Sequence, residues 1–194
     1  DCSVQLRNQK VLEIAPAPGL DAALRQRIHA DAIRLVQAAA YVNAGTVEFL
    51  VDPEAGAHYF IECNPRIQVE HTITEQVMGF DLVEAQFRIA AGASLASLGM
   101  ADQASVGTPR GYAIQARIVA QGTGTIVAYR EPSGPGVRVD ACGYLGLTPP
   151  PQFDPLLAKL IAQSGSAQTF ESAVDRTLRA LDEFQITGVA TNGE

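Results

Sequence analysis

Polar and apolar positions alternate along residues 60–70. Glu62, Asn64, Arg66, Gln68 and Glu70 take every second place, and Ile61, Cys63, Ile67 and Val69 fill most of the gaps. Alternate side chains of an extended backbone share a face, so the pattern predicts a strand with one polar and one apolar side. A second strand is predicted over Gly45–Val51, with Thr46, Glu48 and Leu50 on one side and Val47, Phe49 and Val51 on the other. The intervening Asp52-Pro-Glu-Ala-Gly-Ala-His58 is turn-like. A hairpin symmetric about Ala55 would set Glu48 directly opposite Glu62.

Elsewhere the period changes. Leu24, Ile28, Ala32, Leu35, Val36 and Ala39 recur at helical spacing and predict a helix over 22–42 with Asp21 as N-cap. Thr72–Met78 reads as a short helix stopped by Gly79, and Asp81 caps another that ends at Gly92. Residues 93–110 are rich in Ala, Ser, Gly and Pro, which places a domain boundary near Thr108. Strands are predicted over 112–119, 124–129 and 136–139. Asp154–Ile161 reads as a turn of helix feeding a strand. A helix is predicted over 167–184, with Phe170, Val174, Leu178, Leu181 and Phe184 in its core. Asp1–Ile14 resembles the middle of a strand, and Thr191–Glu194 stops where a helix could start. Both ends read as cut from a longer chain.

Composition narrows the function. With 47% hydrophobic residues, the 194-residue chain can bury a core. Its formal net charge of -7 and its two lysines argue against nucleic acid as a partner. No apolar run is long enough to span a bilayer. Three widely spaced cysteines, Cys2, Cys63 and Cys142, fit a reducing, cytoplasmic compartment, each expected as a small buried hydrophobe. His71 lies off the polar row and is expected as a buried structural histidine.

The paired glutamates carry the chemistry. Like charges facing across a strand pair destabilise it. A hard divalent cation reverses that sign, and Mg2+ is commonly held by one or two carboxylates plus substrate phosphates. Asn64 and Arg66 on the same face add to the case for a metal–phosphate site.

The row Phe60–His71 resembles the active-site strand of biotin carboxylases, the ATP-grasp component of biotin-dependent carboxylases. Asp1–Gln5 with Asn8–Lys10, Gly45–Phe49, Pro132–Arg138, Phe153–Lys159 and Gly188–Asn192 resemble family motifs in family order. The resemblance implies an α+β fold: the C-terminal half of an ATP-grasp domain over 1–108, then a biotin carboxylase C-terminal domain over 109–194, an antiparallel or mixed sheet with helices. It implies that MgATP and bicarbonate give carboxyphosphate and that the carboxyl group passes to N1 of biotin. By position, Glu48, Glu62 and Asn64 would hold Mg2+ or Mn2+. Arg66, Gln68 and the Val69 backbone would cradle bicarbonate, and Glu70 would deprotonate it. Arg138, read in a Gly/Pro-rich loop where Gly136 permits a tight backbone, would stabilise the biotin enolate. Leu50 and Ile61 would line the adenine pocket, with Gln5 and Asn8 near the nucleotide. The implied partners are a biotin carboxyl carrier domain, a carboxyltransferase component and a second copy of the chain, docked through the C-terminal domain.

The chain departs from the pattern at Leu6 and Asn8, where the family usually has Arg and His, and in a shortened loop at 119–124. No Gly-rich phosphate lid is visible, so little turnover is expected of these residues alone. Two other readings stand beside this one. An ATP-grasp ligase of the carbamoyl-phosphate synthetase type would share the Glu–Glu–Asn pattern but lack the Arg-x-Gln-x-Glu extension. A non-catalytic dimerisation module would need none of these side chains.

Overall fold

The structure, a computed structural model, describes residues 1–166 and 168–193. The chain folds as two compact units that do not follow one cut. The first gathers Asp1–Pro16, Thr72–Met78 and Pro109–Glu194; the second gathers Ala17–His71 and Gly79–Thr108. The second unit ends at Thr108, and the amino-terminal strands and one helix group with the residues that follow it.

The first unit is built on a five-stranded sheet in the order β1 (Val4–Leu6), β2 (Gln9–Ala15), β5 (Ala113–Val119), β8 (Leu156–Gln163), β7 (Val137–Ala141). All four of its pairings are antiparallel. Helix α2 (His71–Met78) packs Ile73 and Val77 against Ala113 and Ile161. Helix α5 (Phe170–Glu183) packs Ala180 against Ala116 and Leu160. Residues 160 and 161 point to opposite sides of β8, so the two helices cover opposite faces of the sheet. A further strand pair, β6 (Ala128–Arg130) with β9 (Gln185–Thr187), adjoins a third cluster of Ile126, Leu157 and Val189.

The second unit holds helix α1 (Ala22–Ala38), the hairpin β3 (Thr46–Asp52) and β4 (Ala57–Asn64), helix α3 (Leu82–Ala90), a 3-10 turn at Ala96–Leu98 and the short helix α4 (Gln103–Val106). Asp21 caps α1 by accepting the Leu24 amide at 2.9 Å, and Asp81 caps α3 from Glu84 at 2.8 Å. Helix α1 is tied to the hairpin by Asp31 to His58 at 2.8 Å and by Arg27, which donates to the Gly56 carbonyl.

Several expectations fail for local reasons. The first 14 residues are a hairpin, because Arg7 and Asn8 both take positive φ (51° and 65°), the geometry of a tight two-residue turn. The run before Ile161 contains no helical turn; β8 is extended from Leu156 and nearly buried along its length, which removes any alternation to read. Of the 124–129 stretch only Ala128 and Tyr129 are strand, in β6, and α1 ends at Ala38. Leu178 is 56% exposed and Leu35 42%; in α5 the buried positions are the small Ala173, Thr177 and Ala180, which let the helix sit close to the sheet. Cys63 and Cys142 are exposed and Cys2 is partly so. Of the helix expected from residue 167, Ala167 lies outside the described residues, as does Glu194 at the end of the chain.

Candidate metal and anion site

The hairpin register places Glu48 opposite Glu62 and Thr46 opposite Asn64. The turn spans only Pro53–Gly56, with Gly56 at φ 61°. That is one residue too short for symmetry about Ala55 over the whole hairpin. The register shifts after the glutamate pair, between Glu48 and Phe49, and Ile61 is the extra residue. The bulge keeps the glutamates aligned and sets Leu50 across from Tyr59 rather than Phe60. Leu50 and Ile61 are both more than half exposed.

Asn64 Nδ2 donates to Glu62 Oε1 at 2.8 Å and to Glu48 Oε1 at 3.2 Å. One amide therefore spans an oxygen from each carboxylate. The two carboxylates, with no sulfur or imidazole beside them, are hard oxygen donors that suit Mg2+; Asn64 turns its amide nitrogen to them and would join a metal through its oxygen after a rotation of the amide. No group of three His, Cys, Asp or Glu side chains is placed to hold a metal among the described residues, so substrate oxygens and water would have to complete the shell.

The polar row is not one long strand. β4 ends at Asn64, where Pro65 supplies no amide hydrogen and fixes φ. The backbone then turns: Arg66 N donates to the Asn64 carbonyl at 2.8 Å, and His71 N to the Gln68 carbonyl at 3.2 Å. Arg66, Gln68, Val69 and Glu70 thus lie on the connection between β4 and α2, and the shared strand face expected for them is absent. Arg66 is exposed and donates to the Ile67 carbonyl at 3.1 Å. Glu70 is 9% exposed, directly before the first turn of α2. His71 is half-buried, with Nδ1 at 2.7 Å from the Gln68 carbonyl oxygen.

Gln5, Asn8 and Arg138 belong to the other compact unit. Gln5 is exposed on β1, 3.5 Å from the Cys2 carbonyl, and Asn8 sits in the β1–β2 turn. Arg138 is on β7 rather than in a loop. Its Nε and Nη2 donate to the two carboxylate oxygens of Asp140 at 2.7 and 2.9 Å, and Nη1 to Glu75 at 2.7 Å. Hydrogen bonding to Asp140 outweighs burial and raises the Arg138 pKa further. Burial pushes the Asp140 carboxyl up, but Arg138 and Lys159 hold it below its ordinary value. Sequence reading missed Glu75, Asp140 and Lys159. The strand predicted over 136–139 stops two residues before the end of β7; carried to Asp140, its alternation puts Arg138 and Asp140 on one face.

Facing glutamates joined by an amide thus run directly into an arginine-to-glutamate segment. Residues 1–98 match the family model for the carbamoyl-phosphate synthase L chain ATP binding domain, and residues 115–194 match the biotin carboxylase C-terminal domain. The chain belongs to the biotin carboxylase family. A pyruvate carboxylase of Pichia angusta is 51% identical over 201 residues, which cover 99% of this chain and 17% of that protein. The chain therefore spans about a sixth of the length of the curated relatives it matches. The biotin carboxylase domain of a single-chain bacterial carboxylase superposes with a TM-score of 0.94 at 49% identity, over all of this chain and 45% of that one. A biotin carboxylase domain dimer of Hydrogenobacter thermophilus 2-oxoglutarate carboxylase, in complex with MgADP, ADP and bicarbonate, gives 0.91 at 41% identity, over 100% and 42%. Among the described residues no helix is long and apolar enough to cross a membrane.

Proposed function

We propose that the chain is the metal-binding and carboxy-terminal part of a biotin carboxylase, a ligase that uses MgATP and bicarbonate to carboxylate biotin on a carrier domain. The observation that carries this reading is the Glu48–Glu62 cross-strand pair with Asn64 spanning it, followed within six residues of Asn64 by Arg66 and Glu70. Residues 1–108 would be the ATP-grasp subdomain and 109–194 the biotin carboxylase C-terminal domain, a division by ancestry that the compact units cut across. The partners would be a biotin carrier, a carboxyltransferase and a second copy, in the cytoplasm.

Each side chain has a task its chemistry suits. Glu48, Glu62 and Asn64 would hold Mg2+ or Mn2+, which when bound neutralises nucleotide phosphates. The Arg66 fork, with Gln68 and the Val69 amide, would orient bicarbonate. Glu70, largely withdrawn from water, would accept the bicarbonate proton. Arg138 would stabilise the oxyanion on the biotin ureido group. Leu50 and Ile61 would flank the adenine, and Gln5 and Asn8 would lie near the nucleotide. The match at 115–194 and the Arg66-x-Gln-x-Glu70 run favour this over a carbamoyl-phosphate synthetase type of ligase.

The test is bicarbonate-dependent ATP cleavage by a full-length carboxylase carrying these residues. Glu62→Gln should lower kcat by about a hundredfold and raise the Mg2+ requirement. Unchanged turnover and metal dependence would refute the metal assignment.

A further inference from the structure

The α2-facing side of the first unit's sheet carries charges that the proposed roles leave unexplained. Cross-strand register aligns Arg117, Lys159 and Asp140 in one row and Gln115, Ile161 and Arg138 in the next. Directly opposed residues share a face, and Ile161 packs on Ile73 and Val77, so this is the face α2 covers. A sheet face under a helix is ordinarily apolar, and buried ions are costly unless paired. Here Glu75 is 7% exposed and the Lys159 side chain 12%.

Every charge in the row has a partner that fixes it. Lys159 Nζ is 3.3 Å from Asp140 Oδ2, and Asp140 grips Arg138 side-on. Arg138 and Asp140 share one strand and could swing together. Glu75 reaches in from α2 and removes that freedom. The helix itself is pinned, because Thr72 donates to Gln115, whose amide donates to the fully buried Glu13 at 2.8 Å. Three of the five guanidinium N–H donors are thereby used. The group is planar and rigid, so fixing three donors fixes the direction of the other two.

We propose that Glu75 is a positioning residue for Arg138: together with Asp140 it aims the two remaining guanidinium N–H donors at the oxyanion of the biotin ureido group. This rests on the role proposed above for Arg138. Glu75 touches no reacting atom and acts through direction alone.

The test uses a full-length carboxylase carrying this segment. Glu75→Met keeps bulk and removes the acceptor; Glu75→Gln keeps an acceptor oxygen. Biotin carboxylation, bicarbonate-dependent ATP cleavage without biotin, and melting temperature are measured for each. Glu75→Met should lower kcat for biotin carboxylation on the order of tenfold or more, with KM for ATP and biotin-independent ATP cleavage within about twofold. Glu75→Gln should recover most of the loss. In an Arg138→Ala background, Glu75→Met should cost nothing further, since a group acting through Arg138 has nothing left to aim. Wild-type kcat in Glu75→Met, or an equal added loss in the Arg138→Ala background, overturns the proposal. If Glu75→Met does not fold, Glu75→Asp, which withdraws the acceptor by one methylene, replaces it: reduced kcat supports the proposal and wild-type kcat overturns it. Wild-type kcat in Arg138→Ala alone would instead remove the role of Arg138, a separate failure.

Discussion

Glu48 and Glu62 face each other across the β3–β4 hairpin, and Asn64 donates to both. Without a cation this pair works against the hairpin. Glu62→Gln should therefore leave the metal-free chain as stable or stabilise it by about 0.5 kcal/mol, while weakening Mn2+ binding in the presence of ADP by tenfold or more. Denaturant melts and metal titrations on the same two proteins check both signs. A substitution that lowers stability and leaves metal affinity intact would contradict the assignment.

The Glu13–Arg117 pair is a different case. Glu13 is fully buried, with Arg117 on Oε1 and Gln115 on Oε2. Arg117→Met strands an ion in the sheet interior and should cost about 3–5 kcal/mol. The double substitution Glu13→Leu/Arg117→Met should recover most of that loss. Equilibrium denaturation of the single and double variants reads the difference.

Asp140 sets an acid limit for the first unit. Its folded pKa lies below the ordinary aspartate value, so its stabilisation is complete above about pH 4, the unfolded aspartate value, and is lost as pH falls through the lower folded value. Asp140→Asn should flatten the acid limb of a melting temperature–pH profile and change its shape little near neutrality.

Gly136 precedes β7 at φ 75°. A Cβ there would lie 2.8 Å from the Gln163 carbonyl oxygen and closer still to the Arg176 guanidinium. Gly136→Ala should destabilise by more than about 1 kcal/mol. It should also lower biotin carboxylation, because the strand it distorts begins one residue before Arg138. Melting curves paired with kcat test the coupling.

Much of the fold was readable because the informative residues are polar and regularly spaced. The glutamate pair followed from alternation on two short strands and a turn between them. The Asp21 and Asp81 caps followed from local chemistry. What alternation could not show was its own end: Pro65 breaks the row, yet Arg66, Gln68 and Glu70 keep the parity of a strand they do not form. β8 was misread because both its faces are covered, and burial on two sides erases periodicity. The Glu75–Arg138 contact spans 63 residues, and no local pattern encodes it.

The interleaving of the two compact units has a consequence for inheritance. A genetic crossover at the 108/109 junction would look harmless on a linear map. It would nevertheless hand β5, with Arg117, to a stranger's β2, with its own counterpart of Glu13, and Arg138 to a stranger's α2. Lineages that recombine there must keep those pairs matched across the breakpoint, so the two stretches should evolve as linked partners rather than as freely exchangeable modules.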